Sequence, residues 1–145
     1  MTMLAAILRH KGNEVIAIPP DAAIPTVTEL LRARGIGAVL VTDRLGQMLG
    51  IVSERDIVRS LAARGADTLG MSAAQLMTRV LTTATPSTSV EGAMLLMTEN
   101  RVRHLPVLED GHVIGLVSIG DVVKARIMEQ EQEVDSLKAY ISGAA

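Results

Sequence analysis

Two stretches of the chain repeat one another: GIVSERDIVR at residues 50–59 and GLVSIGDVVK at residues 115–124. Glycine, serine and aspartate recur in register, and every apolar position of the first stretch stays apolar in the second. With a one-residue gap in the preceding turn, the match extends backwards as far as Pro20 and Pro86. Because two similar units then fill almost the whole chain, we expect a two-fold pair of folding units, since two repeats are too few for a solenoid.

Both units have the same order of predicted elements, β-α-β-β-α, which places the chain in the α/β (α+β) class. The turn residues Asp43, Gly46, Asp110 and Gly111 are typical of hairpins. The first unit is predicted to contain a strand at 15–18, a helix from about Pro25 to Gly35, strands at 38–42 and 48–52, and a helix from Ser53. The second unit is predicted to contain a strand at 80–83, a helix capped by Ser89, strands at 104–108 and 113–117, and a helix from Ser118. A linker at 65–70 and a short helix at 72–77 join the units.

Composition excludes several classes of function. The chain has 145 residues, of which 48% are hydrophobic and 21% charged, so it can bury a core. A net charge of −2 and a single aromatic residue, Tyr140, argue against a nucleic-acid partner. The absence of cysteine excludes disulfides and thiolate zinc sites, and three scattered histidines argue against a metal site. No apolar run is long enough for a membrane span, and no signal-peptide pattern is present, so we expect a soluble cytoplasmic protein.

The motif that closes each repeat, a serine followed three residues later by aspartate, has two interpretations. It is a helix capping box, in which the serine hydroxyl accepts from a backbone N–H and the acid favours the positive helix end. The same geometry also suits a nucleotide, because free N–H groups at a helix start attract phosphate and a carboxylate can accept from ribose hydroxyls. The two interpretations are compatible.

The repeated motif, together with the segment VRHLPV at residues 102–107, resembles a pair of cystathionine-β-synthase (CBS) domains, also called a Bateman module. The resemblance covers roughly residues 1–127. It implies two units related by pseudo-two-fold symmetry that bind an adenosine ligand such as AMP, ATP or NAD(H) and form a homodimer. On this basis we expect repeat 1 at residues 1–66, repeat 2 at 72–127, and a separate acidic amphipathic helix at 128–145.

The resemblance also implies which residues bind the ligand. Residues at the end of each first strand would line the base, and a basic pair near the second motif would meet phosphate. The ribose- and phosphate-binding residues would be Ser53, Arg55, Asp56, Arg103, His104, Ser118 and Asp121, and the base-lining residues would be Ala17, Ile18, Thr83 and Ala84.

The two expected sites differ in their basic residues. The first repeat has Gly37 and Ala38 where the second has Arg103 and His104, and it has Arg55 where the second has Gly120. Each site thus keeps a cation near the expected phosphate. Without the repeat, a solvated strand residue and a core-edge histidine would be the simpler explanation for Arg103 and His104, whereas the repeat favours ligand contact. Lys11 and Arg79 precede the two first strands and could reach a phosphate, but plain surface charge is the simpler interpretation.

No enzyme motif is present: the chain lacks a nucleophile elbow, a phosphate loop, a dinucleotide fingerprint and a zinc-protease signature. We therefore expect a non-enzymatic sensor of an adenosine nucleotide that signals to an unknown effector protein. The alternative is a constitutive homodimeric interaction module without a ligand. The C-terminal segment has a short heptad-like stripe at Ile127, Val134 and Ile141, interpreted either as a helix packed on its own module or as a dimer contact.

Overall fold

A computed structural model of the chain describes residues 1–12, 14–79 and 82–144. These residues form an α+β protein with short strands and mostly short helices, as the sequence predicted. The helices are α1 (Leu4–Lys11), α2 (Ile24–Arg34), α3 (Glu54–Arg64), a 3₁₀ helix (Gly65–Gly70), α4 (Ala73–Leu76), α5 (Val90–Asn100) and α6 (Ile119–Ala144). The strands are β1 (Ala17–Ile18), β2 (Ala38–Thr42), β3 (Met48–Ser53), β4 (His104–Glu109) and β5 (His112–Ser118).

The chain divides into two compact units that do not follow the order of the sequence. Residues 14–79 form one of them, called here the central unit. Residues 1–12 pack with residues 82–144 to form the other, the terminal unit. The repeat boundaries expected from the sequence place the first residues in repeat 1. The structure differs because α1 buries Leu4 and Leu8 in the core of the terminal unit.

The central unit is built on a three-stranded sheet in the order β1-β2-β3. Strand β1 pairs in parallel with β2, and β2 pairs antiparallel with β3. The turn between β2 and β3 is closed by the Asp43 carboxylate, which accepts from the N–H groups of Leu45 and Gln47, both at 2.9 Å. Helix α2 begins at Ile24, has the predicted Pro25 in its first turn and is capped by Gly35, whose left-handed φ of 62° suits glycine. The core lies between sheet and helices and is formed mainly by Ile18, Ile24, Val27, Val39, Val41 and Val52.

The terminal unit is built on the β4–β5 hairpin. Its two-residue turn, Asp110 and Gly111, has positive φ at both positions, as expected for the tight turn of a twisted hairpin. Of the first strand predicted at 80–83, residues 80 and 81 lie outside the described residues, and Thr83 is not in a strand. Ala84 instead makes a single parallel bridge to Val107, at the position where Ile18 pairs with Val41 in the central unit.

Helix α6 is longer than the sequence suggested. It runs without interruption from the second motif to the end of the described chain, 26 residues in all, where two separate helices were expected. The sequence contains no glycine or proline between residues 121 and 142 that would stop it. The first part packs on the terminal unit through the fully buried Val122, whereas the side chains at 130–143 are exposed.

Close approach of the chain explains the glycine that opens each repeated motif. A Cβ built on Gly50 would lie 2.7 Å from the Thr78 carbonyl oxygen and 2.9 Å from the Met77 sulfur. A Cβ on Gly115 would lie 2.5 Å from a methyl carbon of Leu8. Within each unit, the segment that leads into the other repeat therefore lies directly on the last strand.

We predict that Gly50→Ala destabilises the protein more than Gly115→Ala. The first clash is partly with backbone, which cannot move away cheaply, whereas the Leu8 side chain can change rotamer. Overpacking of this kind costs about 1–3 kcal/mol, and urea unfolding of both variants measures it. Gly143→Ala is the control, because a Cβ at that position would have no neighbouring atom within 4 Å. An unchanged unfolding midpoint for Gly50→Ala would contradict the close approach.

Candidate functional site

The predicted serine and aspartate of each repeat lie where a strand runs into a helix. In the central unit, the Ser53 N–H donates to Asp56 Oδ2 (2.9 Å) and the Asp56 N–H donates to Ser53 Oγ (3.2 Å). In the terminal unit, the matching bonds join Ser118 N to Asp121 Oδ2 (2.8 Å) and Asp121 N to Ser118 Oγ (3.1 Å). Both motifs are therefore capping boxes that start α3 and α6, and each holds a carboxylate at a helix N-terminus.

A second repeated contact brings the predicted basic pair to the motif of the terminal unit. The Ile119 N–H donates to the Arg103 carbonyl oxygen (2.8 Å), and His104 lies directly opposite Ser118 in the β4–β5 register. The structure thus places Arg103, which is exposed, and the half-buried His104 beside the helix start that carries Asp121. An anion at that helix start would meet a guanidinium group and the positive end of the helix.

The corresponding positions of the central unit carry no charge. Gly37 accepts from the Glu54 N–H (2.9 Å), and Ala38 lies opposite Ser53. The cation of this site is Arg55, which is exposed in the first turn of α3, one residue before Asp56. The asymmetry predicted from the sequence therefore corresponds to different structural positions: a strand start in one unit and a helix start in the other.

A further difference concerns the partners of the two carboxylates. Asp56 Oδ1 accepts from the Thr78 hydroxyl at 3.0 Å. Asp121 Oδ2 accepts from Lys11 Nζ at 2.7 Å, and the same ammonium donates to the Leu116 carbonyl oxygen at 2.9 Å. A neutral donor thus engages one motif and a cation engages the other.

The sequence pattern favoured plain surface charge for Lys11 and did not identify Thr78. Both residues come shortly before the first strand of a repeat, and both contact the motif of the other repeat. The repeat pattern contained a signal for this pairing, because each residue precedes its strand at a similar distance. Which motif each residue contacts depends on the unit against which α1 packs, and long-range packing decides that.

The four predicted base-lining residues divide into two exposed and two buried side chains. Ala17 and Thr83 are exposed, whereas Ile18 and Ala84 belong to the two hydrophobic cores. Because side chains alternate along an extended segment, only one residue of each pair faces outward. Ala17 lies on β1 and Ser53 on β3, with β2 between these two strands. Two interstrand spacings therefore separate β1 from β3, a distance of about 10 Å.

The charge state of Asp121 follows from its surroundings. Partial burial raises the pKa of this carboxyl, but hydrogen bonds from Lys11 and Ser118 and the Lys11 charge outweigh burial, so the pKa lies below its usual value. A carboxyl with a lowered pKa in the folded state adds stability above the pKa of the unfolded chain. That stability is lost as the pH falls through the folded-state value.

We therefore predict that the free energy of unfolding falls less steeply with acidification in Asp121→Asn than in the original chain. The difference should develop as the pH drops below about 5, because the unfolded aspartate titrates near 3.9. Urea unfolding across this pH range measures it, with Asp135→Asn as a control for the loss of one carboxylate on the same helix. Parallel curves for the original chain and Asp121→Asn would contradict the assignment.

The described ranges hold no candidate for two other kinds of site. No cluster of three or more histidine, aspartate or glutamate side chains there could hold a metal ion. None of the helices formed by those residues is long and apolar enough to cross a membrane.

Comparison with known proteins identifies the repeated unit. The sequence profile of the CBS domain matches residues 8–63 and again 73–127. The CBS domain-containing protein CBSX3, mitochondrial, of Arabidopsis thaliana is 35% identical over 150 aligned positions, which cover 98% of this chain and 73% of that protein.

Solved structures agree. A CBS-domain protein of Agrobacterium tumefaciens is 42% identical with a TM-score of 0.83, and the match covers 86% of this chain and 99% of that one. A CBS-domain protein of Pyrobaculum aerophilum complexed with AMP is 26% identical with a TM-score of 0.72, covering 82% and 88%. With two matches to the family profile and these relatives along its length, the chain belongs to the CBS domain family and carries the domain twice.

Proposed function

We propose that this chain is a non-catalytic regulatory module that binds an adenosine-containing ligand at the two serine–aspartate motifs. AMP, ATP and NAD(H) are the candidate ligands. The homodimeric module would signal its ligand state to an effector protein. The AMP complex of the Pyrobaculum relative supports this class of ligand. A cytoplasmic location stays a prediction, because the Arabidopsis relative is named as mitochondrial.

The observation that carries the proposal is the state of the two carboxylates. Each is fixed by its capping box and accepts a further hydrogen bond from a donor outside the motif, Thr78 or Lys11. A hydroxyl on Asp56 makes the kind of contact that a ribose hydroxyl would make, so a ribose can replace Thr78 without leaving the carboxylate unpaired. Phosphate would then meet Arg55 in the central unit, and Arg103 with His104 in the terminal unit.

In this proposal, the base would lie towards Ala17 or Thr83, the outward-facing residues of the two leading segments. Alanine offers no side-chain group that can distinguish bases, so recognition in the central unit would use main-chain groups. Thr83 adds one hydroxyl in the terminal unit. Ile18 and Ala84 would contribute only their backbone, since their side chains are committed to the cores.

We predict that Asp56→Ala and Asp121→Ala each abolish or weaken one of two binding events. Loss of a hydrogen bond to a charged group costs about 1.5–3 kcal/mol, which is roughly a ten- to hundredfold loss of affinity. Calorimetric titration of ligand-stripped protein with AMP, ATP, NAD(H) and GTP measures this. Asp135→Ala, about 21 Å further along α6 by its rise per residue, is the matched control.

Each aspartate also caps a helix, so the melting temperature of every variant is measured without ligand to separate lost binding from lost folding. If no adenine compound binds the original protein at millimolar concentration, the sensor proposal fails and the constitutive interaction module takes its place. Original affinity in both variants would contradict the ribose assignment while leaving ligand binding itself intact.

We further predict that Lys11 competes with the ribose at Asp121. Lys11→Met should tighten binding of adenosine, which lacks phosphate, at this site by up to about fivefold, since a partly exposed ion pair is worth about 0.2–1 kcal/mol. AMP should gain less, because a displaced lysine can follow the phosphate. Arg44→Met, which removes an exposed charge from the β2–β3 turn, controls for net charge. Unchanged or weaker adenosine binding in Lys11→Met would contradict this competition.

A further inference from the structure

Helix α6 presents an apolar stripe that its own unit does not cover. The helix packs on the terminal unit through the buried Val122 and the partly buried Ala125. Glu129, one turn later, accepts from the Thr2 N–H at 3.2 Å and from Arg126 at 2.9 Å. Among the described side chains, none beyond Glu129 is buried.

The stripe lies on a different face from these contacts. It consists of five exposed apolar residues: Val123, Ile127, Val134, Leu137 and Ile141. At 100° per residue, its members lie between about 60° and 140° around the helix from Val122. Between 41% and 62% of each side chain is exposed. From Ile127 to Ile141 the stripe is about 21 Å long.

The residue types indicate what covers the stripe. In heptad notation Ile127, Val134 and Ile141 occupy position a, and Leu137 occupies position d. β-Branched residues at a with leucine at d favour two parallel strands. Gln130 also falls at d, where only a parallel, in-register partner places the same amide opposite it, so that the two side chains can hydrogen-bond.

The charges beside the stripe favour the same arrangement. In a parallel pair, the position g residue of one helix lies beside the position e residue five places later in the other. Glu133 then meets Lys138 of the partner subunit, and the symmetric contact repeats it. All three charged side chains at issue, Glu131, Glu133 and Lys138, are exposed and lie outside the terminal unit's core. An antiparallel pair would instead set Lys138 against Glu131.

We infer that residues 127–141 of α6 pair with the same segment of a second copy as a parallel, in-register, two-stranded coiled coil. Two heptads are marginal alone, so this inference rests on the homodimer of the proposed function, to which the coil adds one contact. Because Asp121 lies in the first turn of the same helix, the coil would join two ligand sites through one continuous rod about 30 Å long from Asp121 to Ile141.

Disulfide trapping tests the orientation, and the absence of native cysteine makes it specific. Ile141→Cys should form a dimer under oxidised glutathione at micromolar protein, because its two copies face each other. In the antiparallel pair they would be about 16 Å apart. Gln132→Cys, on the opposite face of α6, is the matched control and should stay largely uncrosslinked. Equal crosslinking of both variants, or none in Ile141→Cys, would overturn the inference.

Charge reversal tests the register by sedimentation equilibrium. Lys138→Glu should raise the dimer dissociation constant roughly five- to thirtyfold, since two surface pairs become repulsive. Adding Glu133→Lys should restore it, whereas adding Glu131→Lys should not. If Glu131→Lys, and not Glu133→Lys, restores dimerisation of the Lys138→Glu variant, the parallel arrangement is overturned. A dimer that Lys138→Glu leaves unchanged overturns the coil and keeps the homodimer. An original chain that is monomeric throughout overturns both.

Discussion

The hydrogen bonds between each motif aspartate and the N–H of its serine are the constraint on which the structure depends. They end a strand and start a helix at one point, and they hold a carboxylate at the positive end of that helix. The same bonds that make the fold regular thus create its chemically distinctive groups. In the proposed function, stability and binding would share these residues, which would explain why the serine and aspartate recur in both units.

The local elements could be predicted from the sequence because local residues determine them. The Asp110–Gly111 turn sets the β4–β5 hairpin, and Gly35 ends α2 with a left-handed conformation that other residues adopt at a cost. The side chain of Ser89 accepts from the Gly92 N–H at 2.9 Å, as expected of an N-cap. The positions of Ser53 and Ser118 followed from the same kind of reasoning.

Long-range packing could not be predicted in this way. Nothing local to α1 states that Leu4 and Leu8 complete the core of the terminal unit rather than the repeat that follows them in sequence. The contacts of Lys11 and Thr78 depend on that packing. The sequence pattern alone therefore favoured surface charge for Lys11. The sequence shows this long-range packing only at the motif glycines. A larger residue would not fit at Gly50 or Gly115, because a segment from beyond the repeat lies against each.

The asymmetry between the units follows from the same exchange of leading segments. A lysine ammonium on Asp121 and a threonine hydroxyl on Asp56 make two copies of one motif chemically different, although their capping geometry is nearly identical. In the proposed function, a ligand would displace a cation in the terminal unit and a neutral hydroxyl in the central unit. Since Lys11 ends α1 and Asp121 starts α6, displacement in the terminal unit would act on both of its terminal helices at once. The proposed ligand site at which a charged side chain would be displaced is thus also the one connected to the exposed half of α6.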